Sequence, residues 1–384
     1  MLRHAAPLDA LLRHFVPRGL GSVAPPLLDV LRIGAYQLRM LDRVPAHAAV
    51  TTSVALARER AGERVTGFTN AVLRRVAALP PGDQLNDDLD DVSRLAARWS
   101  HPSWLVARWL ARFGPGDTEH LLAWNNARPS LVLQPTRDGI ADLALRFAAH
   151  GIWSEPAPFG AGLVVDTGHP ERLPGYDTGD FYVQDPAQAL VVRFCAFPPG
   201  VRVYDLCAAP GGKALGLTHR DVRVVAADAS VRRVRRLHAN FVRAGRGTEQ
   251  IIVARAEAPP LRRADGCLLD APCLGTGSFA RHPDARLRVN ESALLHLAEQ
   301  QAAMLDAAAD LIAPGGVLCY ATCSLEPEEN EMQIAGFLQR HGDFRRETPN
   351  AFPGELLTSA GDMLTLPQRD RVDGAFAARL VRHA

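Results

Sequence analysis

From about residue 184 onward, five short apolar runs alternate with helical patterns, and this alternation constrains the fold more than any other feature of the chain. The runs are VRVYDL, RVVAAD, IIVA, GCLLDA and GVLCYATC. Each is too short for a helix, rich in Val, Ile, Leu or Cys, and separated from the next by a segment of helical periodicity. Strands alternating with helices predict an α/β domain built on a doubly wound, mostly parallel sheet. In such a sheet, ligands collect at the carboxyl ends of the strands, so the residues at those ends are the candidates for chemistry.

Upstream the texture differs. APPLLDVLRIGAYQLRML and HAAVTTSVALARERAG carry apolar residues at helical spacing, with Pro45 and Gly62 as punctuation, and GFTNAVLRRVAAL is a further amphipathic helix. PPGDQLNDDLDDVS is a polar, acidic break. A second helical block, VSRLAARWSHPSWLVARWLARFG, leads to DTEHLLAWNNA. After Pro129, short β-like runs (SLVLQPTR, GLVVDTG, GDFYVQD) replace the helices. These changes divide the chain into an all-α region over 1–80, a connecting helical and α+β module over 81–183, and the main α/β domain over 184–384.

The net charge of +1 gives no global basic field, so any polyanion must be met by a local patch. VRRVRRLHANFVRAGR, carrying Arg232, Arg233, Arg235, Arg236, Arg243 and Arg246, is such a patch and either contacts phosphate or forms a solvated helix face. No apolar run is long enough for a membrane span, and MLRHAAPLDALLRHF lacks the apolar core of a signal peptide, so a cytoplasmic enzyme is expected. The six cysteines are clustered and poorly spaced for a zinc ribbon or a disulfide framework. No metal site is expected, and Cys207, Cys267 and Cys319 read as small core residues.

Three strand ends carry the chemistry. The first strand ends at Asp205 and turns through Cys207, Ala208, Ala209, Pro210, Gly211, Gly212 and Lys213 into a helix. This is neither a Walker A loop nor a G-x-G-x-x-G fingerprint. Its place after the first strand still marks it as a cofactor turn. Lys213 is the only lysine in a chain with 43 Lys+Arg, which suggests a compact ammonium where a forked guanidinium would crowd the site. The second strand ends at Asp228, where an acidic residue takes a ribose hydroxyl pair in folds of this kind. The fourth ends in DAPCLGTG, with Asp270 and Cys273, and the fifth in YATCSLEPEEN, with Cys323 expected to head a helix that Pro327 helps start.

These motifs carry a resemblance. DLCAAPGGK, DAPCLGTG and YATCSLEPEENE, with HPDARLR and LIAPGG between them, resemble the signatures of the RsmB/Sun (NOP2/Sun) family of S-adenosylmethionine-dependent RNA (cytosine-5) methyltransferases. YQLRMLDRVPAHAAVTTSVALAR and GFTNAVLRRV resemble the NusB-like RNA-binding domain that precedes the catalytic part in RsmB-like members. SHPSWLVARW and YVQDPAQAL resemble its connecting region. The resemblance implies a class I methyltransferase (Rossmann-like) sheet after an all-α NusB-like domain, with S-adenosyl-L-methionine as cofactor and RNA, most readily small-subunit ribosomal RNA, as partner. A monomer is expected.

For individual residues, the resemblance implies that Cys323 attacks C6 of the cytosine, activating C5 toward the methyl group. It implies that Cys273 assists elimination and release, that Asp270 stands beside the base, and that Lys213 sits at the junction of cofactor and base. A helix beginning after Cys323 would favour its thiolate. Arg233 fits a family position near the cofactor, and Glu257 stands where the family usually has an Asp for the adenine end. The sequence departs from the family pattern in a short NusB-like region, around VLQPTR, and at Ala375 in place of a common Phe. The same chemistry on transfer RNA, and a non-catalytic assembly factor, are the rival readings.

Overall fold

The computed structural model describes residues 1–80, 90–137, 139–167, 169–247 and 250–384. Most of the acidic break read at 80–93 therefore lies outside the described residues. By contacts the chain divides into two compact units, one of Met1–Ala127 with His282–Arg288, the other of Arg128–Arg281 with Val289–Ala384. The stretch 81–183, expected as one connecting module, contributes to both.

The first unit is helical: α1 (Ala5–Phe15), α2 (Pro25–Met40), α3 (Ala46–Ala61), α4 (Thr66–Ala78), α5 (Asp91–Trp99) and α6 (Ser103–Asn126). Local chemistry sets the boundaries. Pro25 and Pro26 open α2, where a missing N–H is harmless, and Gly62 ends α3 at φ 88°. Asp90 caps α5 by accepting from the Ser93 N–H at 2.9 Å. The helical block read through residue 114 is broken at Ser100, which ends α5 at φ 56°, and at its expected end Gly114, at φ 78°, kinks α6 ahead of Pro115. Leu8, Leu12, Leu31, Val72, Leu73 and Val76 form the core. Arg286 from the 282–288 segment is buried, donating to Asn126 Oδ1 at 2.5 Å and to the Asn125 carbonyl at 2.7 Å.

The second unit holds two sheets. The small one orders as β2 (Ser154–Pro156), β3 (Leu163–Val165), β1 (Leu131–Pro135) and β4 (Phe181–Val183), backed by α7 (Ile140–Ala149). The main sheet comprises β5 (Arg202–Asp205), β6 (Arg223–Asp228), β7 (Ile251–Val253), β8 (Ala264–Asp270), β9 (Ile312–Thr322), β10 (Phe344–Arg346), β11 (Met363–Thr365) and β12 (Ala375–Arg382). Its order is β7-β6-β5-β8-β9-β12-β10, with β11 on β12. Strands β5 to β9 are parallel, and β12 runs antiparallel to β9.

Alternate side chains along these strands enter opposite cores. Val203, Leu268, Val317 and Cys319 face α8 (Pro186–Cys195), α9 (Gly212–Thr218) and α10 (Val231–Arg243). Tyr204, Cys267, Leu269, Leu318 and Tyr320 face α11 (Glu291–Asp310) and α12 (Glu331–Arg340). Cys267 and Cys319 are thus core residues. The register pairs Asp205 with Leu268 and Asp270 with Ala321, so the carboxyl ends of β5, β8 and β9 lie side by side where the strand order reverses.

The loops beyond those ends approach closely. Gly374 N–H donates to the Gly277 carbonyl at 2.8 Å, and Gly277 N–H donates to the Cys323 carbonyl at 3.0 Å. A Cβ on Gly277 would stand 2.5 Å from the Gly374 carbonyl oxygen, so backbone would have to move. Gly277→Ala is therefore expected to destabilise this unit by about 1–3 kcal/mol in chemical denaturation, the scale of overpacking a tight site.

Candidate active site

The turn after β5 is held from outside by α10. Arg233 Nη2 donates to the Ala209 carbonyl at 2.7 Å, and Asn240 Nδ2 donates to the Pro210 carbonyl at 2.8 Å. Gly211 caps α9 at φ 114°, a conformation that favours glycine. A side chain would not fit at either glycine: a Cβ on Gly211 would meet Leu237 at 2.8 Å and one on Gly212 would meet Gln184 at 2.8 Å. These glycines let Leu237 and Gln184 pack directly against the turn.

Carboxylates ring this turn. Asp228 is buried at the end of β6, where its Oδ1 accepts from the Ser230 N–H at 2.9 Å. Its Oδ2 lies 3.2 Å from Arg233 Nη2 but has no hydrogen-bond partner. Asp205 is fully buried, and neither of its oxygens meets a donor in hydrogen-bond geometry. Burial, then the charge of Asp270, push its pKa up to about 8 against the pull of Lys213. Glu257 lies in the turn beyond β7, 3.6 Å from Arg255. Buried carboxyls with acceptor capacity to spare, beside this turn, suit a ligand that brings positive charge and hydroxyl donors.

At the other end of the crevice, Lys213 Nζ donates to Asp270 Oδ2 at 2.7 Å. Burial pulls the lysine pKa down, but the Asp270 charge and hydrogen bond outweigh it, so the net shift is upward and the ammonium is retained. Cys273 and Cys323 are free thiols with their sulfurs 3.4 Å apart. The hydrogen bond from Cys273, followed by the charge of Lys213 and the Ser278 hydroxyl, draws the Cys323 pKa below its ordinary value despite burial and Asp270. The same hydrogen bond, with burial and the charges of Cys323 and Glu329, pushes Cys273 up. The two sulfurs are thus pushed in opposite directions, Cys323 toward the thiolate and Cys273 toward the thiol.

The expectation that a helix heads at Cys323 is not met. The chain instead makes a short 3-10 turn at Pro327–Glu329 and begins α12 only at Glu331. Side-chain bonds hold the intervening loop: Thr322 Oγ1 donates to Asn330 Oδ1 at 2.6 Å, and Asn330 Nδ2 donates to the Ser324 carbonyl at 2.9 Å. The thiolate is favoured by Cys273, Lys213 and Ser278, not by a helix terminus.

Three residues at this site were not singled out by the sequence. Buried Glu329 accepts at Oε1 from the Leu274 N–H and from Gln301 Nε2, each at 3.0 Å. Gln301 Nε2 also donates to the Pro272 carbonyl at 2.9 Å. Together they clamp the Cys273 loop against the loop that follows Cys323. Gln301 had a readable signal, a polar residue on the apolar stripe of Leu294, Met304, Leu305 and Ala308. Glu329, one of a run of glutamates, had none, and neither did Ser278. Among the described residues, no group of three or more His, Cys, Asp or Glu is arranged to hold a metal, and no helix is long and apolar enough to cross a membrane.

A mostly parallel sheet of this strand order, with an acidic, glycine-turned crevice where the order reverses, defines a class I methyltransferase fold. The comparisons narrow the class. Residues 196–381 match the family model for 16S rRNA methyltransferase RsmB/F, and residues 1–78 match the NusB family. The chain is 33% identical to the Synechocystis protein named "Probable ribosomal RNA small subunit methyltransferase B", over 99% of this chain and 88% of that one. It is also 33% identical to ribosomal RNA small subunit methyltransferase B of Salmonella arizonae, over 100% of this chain and 88% of that one. The crystal structure of PH0851 shares the fold, with a TM-score of 0.84 at 24% identity, covering 99% of this chain and 87% of that one. The chain belongs to the RsmB/Sun (NOP2/Sun) family of methyltransferases, with a NusB-like helical region ahead of the catalytic fold.

The electrostatics of the sulfur pair predict its reactivity. Iodoacetamide at neutral pH should alkylate Cys323 ahead of Cys273, as read by peptide mass spectrometry. Because the Cys323 pKa is lowered, its alkylation should persist below the range where ordinary thiols react, and decline only as pH falls through that lowered value. Preferential labelling of Cys273 would reverse the assignment.

Proposed function

We propose that this chain methylates C5 of a cytosine in RNA of the small ribosomal subunit, through a covalent adduct between Cys323 and C6 of the base. The observation that carries the reading is the Cys273–Cys323 sulfur pair at 3.4 Å, set beside the Lys213–Asp270 ion pair at 2.7 Å. S-adenosylmethionine is the methyl donor of the family, and it supplies an electrophilic methyl group. The small-subunit target is supported by the names of the full-length relatives.

The residues that would hold the donor are those with unmet hydrogen-bonding capacity. Asp228 Oδ2 would take the ribose, and the Cys207–Gly212 turn after β5 would line the ligand. Arg233 is a positioning residue, tying Ala209 to Asp228. Glu257 would face the adenine end.

Cytosine C5 is a weak nucleophile until C6 is attacked. The Cys323 thiolate forms a bond to C6, and the electron pair displaced from the C5–C6 double bond is shared between C5 and N3. The Lys213–Asp270 pair offers N3 a proton-bearing partner that stabilises that charge. C5 would then take the methyl group supplied by the sulfonium donor, whose S–CH3 bond would break with its electron pair left on that sulfur. Loss of the C5 proton to a base returns the electrons to the ring, the S–C6 bond breaks, and the sulfur leaves as thiolate. Cys273, protonated and 3.4 Å away, hydrogen-bonds to the departing sulfur and favours release.

A non-catalytic assembly factor would have no use for a sulfur pair polarised in this way. The test is methyl transfer to small-subunit ribosomal RNA, with bisulfite sequencing to locate the product. Cys323→Ser should abolish transfer, because a serine hydroxyl is hardly ionised near neutral pH, while calorimetry should still show S-adenosylhomocysteine binding. Asp228→Ala should do the converse, weakening that binding by about 1–3 kcal/mol, the scale for losing a charged hydrogen-bond partner. Methylation of a position other than C5, or full activity in Cys323→Ser, would overturn the reading.

A further inference from the structure

Helix α10 starts three residues after the end of β6 and is fastened to the cofactor turn. The segment 231–247 contains six arginines and no carboxylate. The structure gives three of the six an internal task. Arg233 binds Ala209 and pairs with Asp228. Arg243 donates to the carbonyls of Tyr176 and Phe181 and lies over the Tyr176 ring at 4.5 Å. Arg246 donates to the Thr136 carbonyl at 3.1 Å.

The other three, Arg232, Arg235 and Arg236, are exposed and have no hydrogen-bond or ion-pair partner among the described residues. Other surface arginines vary: Arg58, Arg98, Arg288 and Arg340 face Glu63, Glu119, Asp284 and Asp306, while Arg43, Arg64, Arg262 and Arg263 are exposed with no partner among the described residues, so what sets α10 apart is three such arginines on one helix. The three on α10 also work against the helix they occupy. Arg232 stands in the first turn, at the positive end of the helix dipole. Arg232 with Arg235 and Arg232 with Arg236 are like charges at i,i+3 and i,i+4, where they repel. The self-repulsion is unrelieved within the protein, which points to an anionic partner from outside.

We propose that Arg232, Arg235 and Arg236 bind the phosphodiester backbone of the RNA substrate and anchor it along α10 beside the catalytic crevice. This rests on the reading of the chain as an RNA methyltransferase. A chain with a net charge of +1 holds RNA through local patches, and this face is a patch whose position is fixed to the cofactor turn by the Arg233–Ala209 bond. Arg243 and Arg246 are committed to backbone carbonyls, which confines the phosphate contacts to the first half of the helix.

The experiment compares the full-length protein with R232Q/R235Q/R236Q, using a fluorescent fragment of small-subunit ribosomal RNA titrated between 50 and 200 mM salt. Three lost phosphate contacts should reduce the slope of log K against log salt by about 2–3. S-adenosylhomocysteine binding should be unchanged, and thermal stability unchanged or higher as the repulsion is relieved. An unaltered slope and RNA affinity in the triple variant, with the unsubstituted protein active on RNA, would overturn this proposal and leave the proposed function standing. Loss of polyglutamate binding with an unaltered RNA slope would assign the face to an acidic protein and likewise overturn it. An unsubstituted protein that neither binds nor methylates RNA would overturn both.

Discussion

The 2.7 Å bond between Lys213 and Asp270 joins two parts of the fold that are distant in sequence, the turn after β5 and the end of β8. Around it the electrostatics of the crevice divide. On one side, the Asp270 charge helps push Asp205 upward, leaving a buried carboxyl at the cofactor turn whose charge is favoured by a cationic ligand. On the other, the ammonium favours the anionic form of Cys323. A guanidinium is wider and more weakly hydrated, and would spread its charge over a plane instead of concentrating it at one point. The chain uses arginine for every other basic residue and keeps one lysine here.

The sulfur pair depends on a second set of bonds that carries no charge into the reaction. Glu329 and Gln301 hold the Pro272–Leu274 stretch, and Thr276 Oγ1 accepts from the Leu325 N–H at 2.8 Å. The backbone contact between Gly277 and Gly374 closes the same region from the β12 side. Two loops that follow neighbouring strands are thereby set at one separation, and the 3.4 Å between their cysteines follows from it. With Glu329 adding to the upward push on Cys273, the clamp also reinforces which sulfur keeps the proton.

Much of this was legible in the sequence because it rests on local rules. The alternation of strand and helix patterns gave the parallel sheet, and the strand ends brought Asp205, Asp228, Asp270, Cys273 and Cys323 toward one crevice. Pro45 and Gly62 bounded α3 as their backbone preferences require. What the sequence did not disclose depends on long-range packing. Pro327 in YATCSLEPEEN fitted a helix start, yet the Asn330 and Thr322 side chains stabilise an irregular loop there. Nothing local distinguishes Glu329 from Glu328, because burial is conferred by α11 and the Cys273 loop. Among the arginines of 231–247 the resemblance set apart only Arg233, and the fold further separates Arg243 and Arg246, which meet carbonyls, from Arg232, Arg235 and Arg236, which do not.

The central claim is that Cys323, polarised by Cys273 and Lys213, is the sulfur that joins the base. The most direct measurement is the site of attachment in a trapped complex. Cys273→Ser protein, incubated with small-subunit ribosomal RNA and S-adenosylmethionine, denatured and digested, should yield a peptide carrying a methylated nucleotide on Cys323, because release is impaired after transfer. The contradicting result is a trapped nucleotide on Cys273 in the Cys323→Ser protein and none in Cys273→Ser, which would make Cys273 the attacking sulfur.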